Sequence, residues 1–472
     1  MSFFIRNQRD TRGPKRKVNG ASTKDSKSTA SKSKKKINKK YTNDDNESIG
    51  STDEEFAEEQ NRNQDDFEES EEEQETPQEK RLRLAKKYLE EIEEEEKDRA
   101  EFEEGAIAKR LKEEYLEEKG RLRKVVADTY TGHKEPCILR CKDHNHSVTC
   151  VCISNDGQFL FSGSKDGSLV KWSLSDKRKL KSLKGKGKNH DGMKCIRCIA
   201  ISTDSKFLVV GCDGTKNIKV FSPADLSHIK DLQGHRDVVS GLVFRKNTHT
   251  LYSASMDRCV KVWNLDDMAY VESLFGHQNG ITSIDALARE RAITSGGFDG
   301  TVRIWKIVEE SQLIFNGHGG SIDSVKLINE ENFLSCGDDG QLCVWGCLKK
   351  KPLCCVQEAH GKNEENNLPM WISSIATLLN TDLVASDEKL ASVAGASNGV
   401  IRLWKCGESF RSLQPLFDIK ITGFINSLVF TPDGKYLIAG IGQEHRLGRW
   451  WRIPEARNSI AIIPLIQNQA NT

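Results

Sequence analysis

Four aspartates each stand six residues before a tryptophan: Asp166 before Trp172, Asp257 before Trp263, Asp299 before Trp305 and Asp339 before Trp345. Upstream of the last three lie Gly234-His235, Gly276-His277 and Gly317-His318. A histidine oriented by an aspartate is raw material for general acid–base catalysis. Here the pair recurs unit after unit, and one active site does not explain a repeat. In a Gly-containing turn such as Lys165-Asp166-Gly167 or Phe298-Asp299-Gly300, the carboxylate can accept from the turn's own backbone and from the histidine. A serine in the preceding strand and the tryptophan indole N–H complete a small hydrogen-bonded net. The net reads as structural, and no enzymatic activity is expected, because function must be argued from a site rather than from a repeated frame.

Two further constellations could do chemistry. Cys195-Ile-Arg-Cys198 is a lone CxxC inside an apparent strand. Zinc needs a second ligand pair at suitable spacing, and none follows, so no metal and no cofactor is expected. The 14 cysteines, spread from Cys137 to Cys406, read as reduced thiols. The loop from Leu183 to Lys194 carries Lys184, Lys186, Lys188 and Lys194 with three glycines. Such a loop suits phosphates, although lysines on a loop are also ordinary solvated surface.

The elements that position these residues follow from the repeat. The Gly-His pairs recur 42 and 41 residues apart, with Ala359-His360 another 42 on, and Trp404 closes that unit. Upstream, His144 pairs with Trp172, and His190 with Phe221. Downstream, Ile425–Phe430, Tyr436–Gly440 and Leu447–Trp451 supply a last set of strands. Seven units of this period predict an all-β fold, a seven-bladed WD-repeat β-propeller over 137–465 with a short tail, 466–472. The second unit departs from the pattern with Thr215 and Phe221. The sixth has Asn398 in the turn and an insertion near 361–369. In the seventh, Trp451 is taken as the repeat tryptophan, which puts His445 in the turn; Trp450 would put Glu444 there. Two segments compete to complete the last blade, Cys137–Arg140 and Ile460–Leu465. One face should gather Lys165, Arg236, Arg258, His445, Arg446 and the lysine loop. The opposite face receives Arg245, Lys246, Arg289, Arg291 and Lys349 to Lys351. No run of exposed aromatics suggests a platform for stacked bases.

The net charge of +1 conceals a division along the chain. Residues 1–40 hold 14 Lys/Arg against 2 Asp/Glu, residues 41–79 hold 1 against 17, and residues 137–472 hold 41 against 35. Residues 1–76 bury too little apolar surface to order and are expected to be a disordered arm. Its basic clusters, Lys15-Arg16-Lys17 and Lys34-Lys35-Lys36 with Lys39-Lys40, fit a bipartite nuclear import signal. Residues 77–130 are expected to be helical. The stripe Leu82, Leu84, Ala85, Tyr88, Leu89 and Ile92 and the stripe Ile107, Leu111, Tyr115, Leu116, Leu122, Val125 and Val126 predict two amphipathic helices in need of a docking surface. Gly105 and Gly120 are their weak points. No run of about 18 apolar residues appears, so the sequence predicts no membrane-spanning helix.

Several blocks exceed what a generic WD repeat contains. They are Lys80 to Ala85, Leu274 to Gln278, Trp371 to Ser374, Leu378 to Ala385, and Gly442 to Ile453 followed by Glu455 to Ser459. They resemble the WD-repeat protein family of the U3 small nucleolar ribonucleoprotein, over about 77–465. The resemblance implies a noncatalytic subunit that binds U3 small nucleolar RNA in its box B/C region, beside a small kink-turn-binding protein. It also implies other partners in the small-subunit processome, pre-ribosomal RNA processing and a nucleolar location. A protein-only scaffold, such as a chromatin adaptor or ubiquitin-ligase receptor, is the competing expectation. For a ligase receptor, an arginine is wanted two residues after the Asp that follows a repeat Trp. The segments after Trp263, Trp305 and Trp345 lack it.

Overall fold

The computed structural model describes residues 80–88, 106–118, 120–140, 142–185, 193–362, 367–387, 398–448 and 452–468. Six antiparallel four-stranded sheets and one five-stranded sheet make up the ring, so the fold is a seven-bladed β-propeller. Blade 1 consists of Val148–Ile153, Phe159–Ser164, Leu169–Ser173 and Arg178–Leu183. Blades 2 to 6 repeat that order over 195–232, 239–275, 281–316, 322–356 and 375–422. Inner strands are sandwiched between neighbouring blades and read as continuous apolar runs, as in Leu208–Asp213, whereas outer strands such as Arg178–Leu183 are polar and exposed. The repeat tryptophans fill the space between blades. Trp345 lies parallel to Phe333, 7° apart at 6.0 Å. Phe221 replaces tryptophan in blade 2 and is fully buried.

Blade 7 corrects the sequence reading. Its inner strands are Phe424–Phe430 and Tyr436–Gly442, but its third strand is Ser459–Gln467, not Leu447–Trp451. Leu447 is exposed in a loop, and Trp451 lies outside the described residues. Leu437 pairs with Ile463 in the register where Leu251 pairs with Trp263, so Ile463 takes the tryptophan's place. Two N-terminal strands, Tyr130–His133 and Cys137–Leu139, pair with Ser459–Gln467 and form the outer edge. The competition between terminal segments is thereby resolved. Both belong to blade 7, as third and fourth strands, and the ring closes by joining the two ends of the chain.

The segment before the propeller is only partly helical. Residues 80–88 form helix with exposed side chains, and a second helix spans Ala106–Glu118. It stops there because Gly120 adopts a left-handed φ of +65° and the Arg121 N–H returns to the Leu116 carbonyl at 2.7 Å. A Cβ at Gly120 would come within 2.4 Å of Glu330 Cβ, so the glycine also lets the chain approach the propeller. From here an extended strap crosses the face formed by the turns between the first and second strands. Leu122, expected on a helix stripe, is buried within the strap, while Val125 is exposed. The Lys124 N–H donates to the Asn380 carbonyl (2.8 Å), and the Val126 and Ala127 N–H groups donate to Asp382 Oδ1 (2.8 and 2.9 Å). Arg123 reaches the Cys406 carbonyl at 2.9 Å and lies over the Phe410 ring. Tyr130 is buried beyond it, its hydroxyl donating to the Gly434 carbonyl at 3.0 Å.

The cysteine reading needs one correction. Cys343 and Cys355 face each other across the outer strands of blade 5, Cα atoms 4.2 Å apart, and are joined as a disulfide. The direct cross-strand pairing brings the two side chains together. Eleven other described cysteines are free. Burial pushes the Cys195 thiol up to about 11 and raises Cys198 further, which disfavours the thiolate that zinc requires. Among the described residues, no group of three His, Cys, Asp or Glu side chains is placed to hold a metal.

Candidate nucleic-acid interface

The repeated His–Asp net forms as its spacing predicts. In blade 3, His235 Nδ1 meets Asp257 Oδ2 at 2.9 Å, His235 Nε2 meets Ser253 Oγ at 2.8 Å, and Trp263 Nε1 donates to the same hydroxyl at 2.8 Å. The carboxylate can only accept, so Nδ1 carries the donor hydrogen. Nε2 then accepts from the serine, whose oxygen accepts from the indole, and one tautomer satisfies every group. Blade 4 repeats this with His277, Asp299, Thr294 and Trp305, and blade 5 with His318, Asp339, Ser335 and Trp345. Burial alone would raise the Asp257 and Asp299 carboxyls. Hydrogen bonds from the histidines and the turn N–H groups outweigh it and hold both at about 2. In blade 1, Ser168 stands between His144 and Asp166, and Ser162 joins His144 to Trp172. Burial lowers His144 to about 4. In blade 6, Ser386 links His360 to Trp404. The Asn398 side chain and His190 lie outside the described residues.

These nets pin the turns between second and third strands to the loops entering each blade. Together they form one face, where the candidate cations divide into two groups. Arg236, Arg258, Lys184 and Lys194 are exposed. Lys184 lies 3.4 Å from Asp143, which also accepts from Lys179 at 2.6 Å. Lys186 and Lys188 lie outside the described residues, as do the arm and its import clusters.

Lys165, His445 and Arg446 face inward instead. The insertion after Gly442 folds over the mouth of the central channel. Lys165 is buried against Glu444 (3.3 Å) and donates to the Gly448 carbonyl at 2.8 Å. His445 is buried, its ring 3.8 Å from that of Phe424 between centroids. Arg446 Nη2 donates to the Arg197 carbonyl (3.0 Å) and the Ser240 carbonyl (3.3 Å), tying blade 7 to blades 2 and 3. These three residues lock the ring. Repeat position placed them on the expected face, but Glu444 as an ion partner and the backbone carbonyls as acceptors are set by tertiary contact.

Two exposed aromatics on this face escaped the sequence reading, Phe275 and Phe298. Phe275, Arg236, Arg258 and Lys261 line a groove of about 390 Å³ on the rim of blade 3. The opposite mouth of the channel holds a cavity of about 740 Å³ bordered by the strap. On that face Arg245 is paired with Glu290 at 2.6 Å and Lys326 with Asp285 at 3.1 Å.

The WD domain, G-beta repeat family matches residues 135–173, 179–215, 226–264, 269–306 and 309–346. Human U3 small nucleolar RNA-interacting protein 2 is 54% identical over 403 residues, covering 83% of this chain and 82% of the human one. This chain belongs to the same family. A solved structure of U3-55K is 51% identical and superposes with a TM-score of 0.65, spanning 70% of this chain and 98% of that one. Ribosomal RNA-processing protein 9 of Saccharomyces cerevisiae is a more distant member, 26% identical over 82% of this chain and 88% of its own length.

Proposed function

We propose that this protein is a noncatalytic subunit of the U3 small nucleolar ribonucleoprotein, acting in pre-ribosomal RNA processing in the nucleolus. It binds U3 small nucleolar RNA in the box B/C region, beside a small kink-turn-binding protein and among other processome proteins. The observation that carries this reading is the 54% identity to a human protein named for its interaction with that RNA. The exposed cations Arg236, Arg258, Lys184 and Lys194 on the face of the His–Asp turns support it, because phosphate contacts dominate such affinity. A partner that fixes the RNA bend beforehand removes part of the ordering cost and tightens binding.

The test is titration of U3 small nucleolar RNA, preassembled with its small partner, at several salt concentrations. Replacing Lys184, Lys186 and Lys188 by Ala should lower affinity and reduce the salt slope by roughly two to three, about one for each phosphate left unneutralised. Thermal stability should move by no more than about 0.5 kcal/mol, as exposed loop changes usually do. Crosslinking in cells that recovers protein partners and no RNA would overturn the proposal in favour of a protein-only scaffold. Deleting residues 1–40 removes both basic clusters and should impair nuclear entry of a tagged chain. Undiminished nuclear signal would refute that role.

A further inference from the structure

The groove on blade 3 breaks the repeat's own rules at two positions. The residue after the turn aspartate is glycine in blades 1, 4 and 5: Gly167, Gly300 and Gly340, each left-handed at φ 76°, 62° and 65°. Blade 3 has Arg258 there, at φ 71°. A side chain in that conformation costs on the order of 1–2 kcal/mol, so the arginine sits in strain its sister blades avoid. The residue before each Gly-His pair is the second departure. It is Gln233 before blade 3, Asn316 before blade 5 and Glu358 before Ala359-His360, but Phe275 before blade 4. Its ring is 69% exposed. Neither departure serves packing.

The two meet across the groove with Arg236. Asp257 lies beneath them, but its carboxylate accepts from His235, from the Arg236 N–H at 2.9 Å and from the Cys259 N–H at 3.0 Å. It is spent on the fold. Neither the Arg236 nor the Arg258 side chain has an ion pair among the described residues. Lys261 adds a cation at the edge, its Nζ donating to Ser273 Oγ at 2.6 Å.

We propose that this groove is a subsite for one unpaired nucleotide of RNA, the two guanidinium groups taking its phosphate and the Phe275 ring stacking on its base. Planar guanidinium forks match phosphate oxygens, and an aromatic ring accepts any base face. An acidic peptide would use the arginines and leave the ring idle, so the aromatic favours nucleic acid. The subsite rests on the RNA-binding reading above and refines it.

The test irradiates the full chain bound to U3 small nucleolar RNA preassembled with its small partner and maps nucleotide adducts by mass spectrometry. An adduct is expected on the peptide carrying Phe275. Phe275→Ala should weaken binding about fivefold to a hundredfold, the range for one stacked base, and Phe275→Trp should restore it. Arg258→Gly should reduce the salt slope by about one without lowering thermal stability, because glycine suits that backbone. Adducts elsewhere, with Phe275→Ala binding as tightly as the parent, would overturn the subsite and leave the RNA reading intact. No adduct and no binding would overturn both. A poly-glutamate probe that loses affinity in Arg258→Gly while RNA binding is unchanged in Phe275→Ala would assign the groove to an acidic peptide instead.

Discussion

Replacing Asp382 by Ala should release the strap from the propeller. The Asp382 side chain is fully buried in the turn between the first two strands of blade 6, and its Oδ1 receives two strap N–H groups, at 2.8 and 2.9 Å, from residues more than 250 positions earlier. Hydrogen bonds to a charged acceptor contribute about 1.5–3 kcal/mol each, so the pair is worth roughly 3–5 kcal/mol once their shared acceptor is counted. Removing it also strands the Ala127 N–H, which is buried. The strap keeps its bridge from Lys124 to Asn380 and the buried Leu122, so the expected response is local opening rather than global unfolding. Native-state hydrogen exchange at Val126 and Ala127 is the assay. At about 1.4 kcal/mol per decade, exchange there should accelerate by at least a hundredfold, while inner-strand amides of blades 2 to 4 keep their protection. Asp382→Asn retains one acceptor and should fall between. Unchanged protection at Val126 and Ala127 in Asp382→Ala would refute the reasoning, because no other side chain receives those two N–H groups among the described residues.

Asp299→Ala removes the acceptor for His277 Nδ1, for the Thr301 N–H and for the Thr301 hydroxyl, beside a histidine side chain with no exposure. It should destabilise the protein by about 3 kcal/mol in chemical denaturation, and a loss under about 0.5 kcal/mol would contradict a structural role for the net. His249 bridges Asp204 and Asp266 on the opposite face; its hydrogen bond to Asp204 raises it from 6.5, against desolvation, and Asp266 adds to the rise. Its contribution is therefore complete below about 6.5 and is lost as pH rises through the raised value, so the deficit in thermal stability of His249→Ala should be larger near pH 5.5 than near pH 8.5. A deficit that grows with pH would refute the assignment.

The repeat made most of the fold legible because one local net is used many times. A Gly-His pair, a turn aspartate and a tryptophan at fixed spacing fix where each blade begins and which way its turns face. Blade 7 escaped because its apolar alternation stops before a long insertion and resumes at Ser459, with Ile463 where a tryptophan would mark the place. A tempting Trp-Trp pair stood in the gap. The helical segment expected to reach 130 ends at Glu118, before Gly120, because apolar spacing alone cannot separate a helix stripe from an extended strap. Leu122 and Ala127 bury equally well in either form, and the left-handed glycine was the local signal that decided it. For the candidate interface, repeat geometry put the cations on one face as expected but did not give their ion partners, since Glu444 and Asp143 approach Lys165 and Lys184 from distant sequence. Phe275 stood inside a family-specific block, yet exposure is a property of the folded rim.

The blocks that set this chain apart from a generic WD repeat mostly secure one seam. A propeller ring is closed by contact between its first and last elements, and here the chain ends meet in blade 7, where the outer strands at 130–139 pair with Ser459–Gln467. That is the one blade assembled from both termini, and so the one whose strands the chain does not tether in sequence. The Leu378 to Ala385 block lies beside it and supplies Asp382 for the strap that leads into those outer strands. Ser373 and Ser374, from the Trp371 block, bind Asp387, and Ser374 Oγ accepts from the Leu428 N–H, joining blade 6 to blade 7. The Gly442 block crosses the channel mouth, where Glu444 holds blade 1 through Lys165, and Arg446 reaches blades 2 and 3. Residues that depart from a generic repeat are thus not automatically ligand-facing. In the block that begins at Gly442, Glu444 holds a lysine and Arg446 donates to protein carbonyls. The subsite proposed for RNA lies instead where departures from the repeat face outward, at the exposed Arg258 and Phe275 on the rim of blade 3.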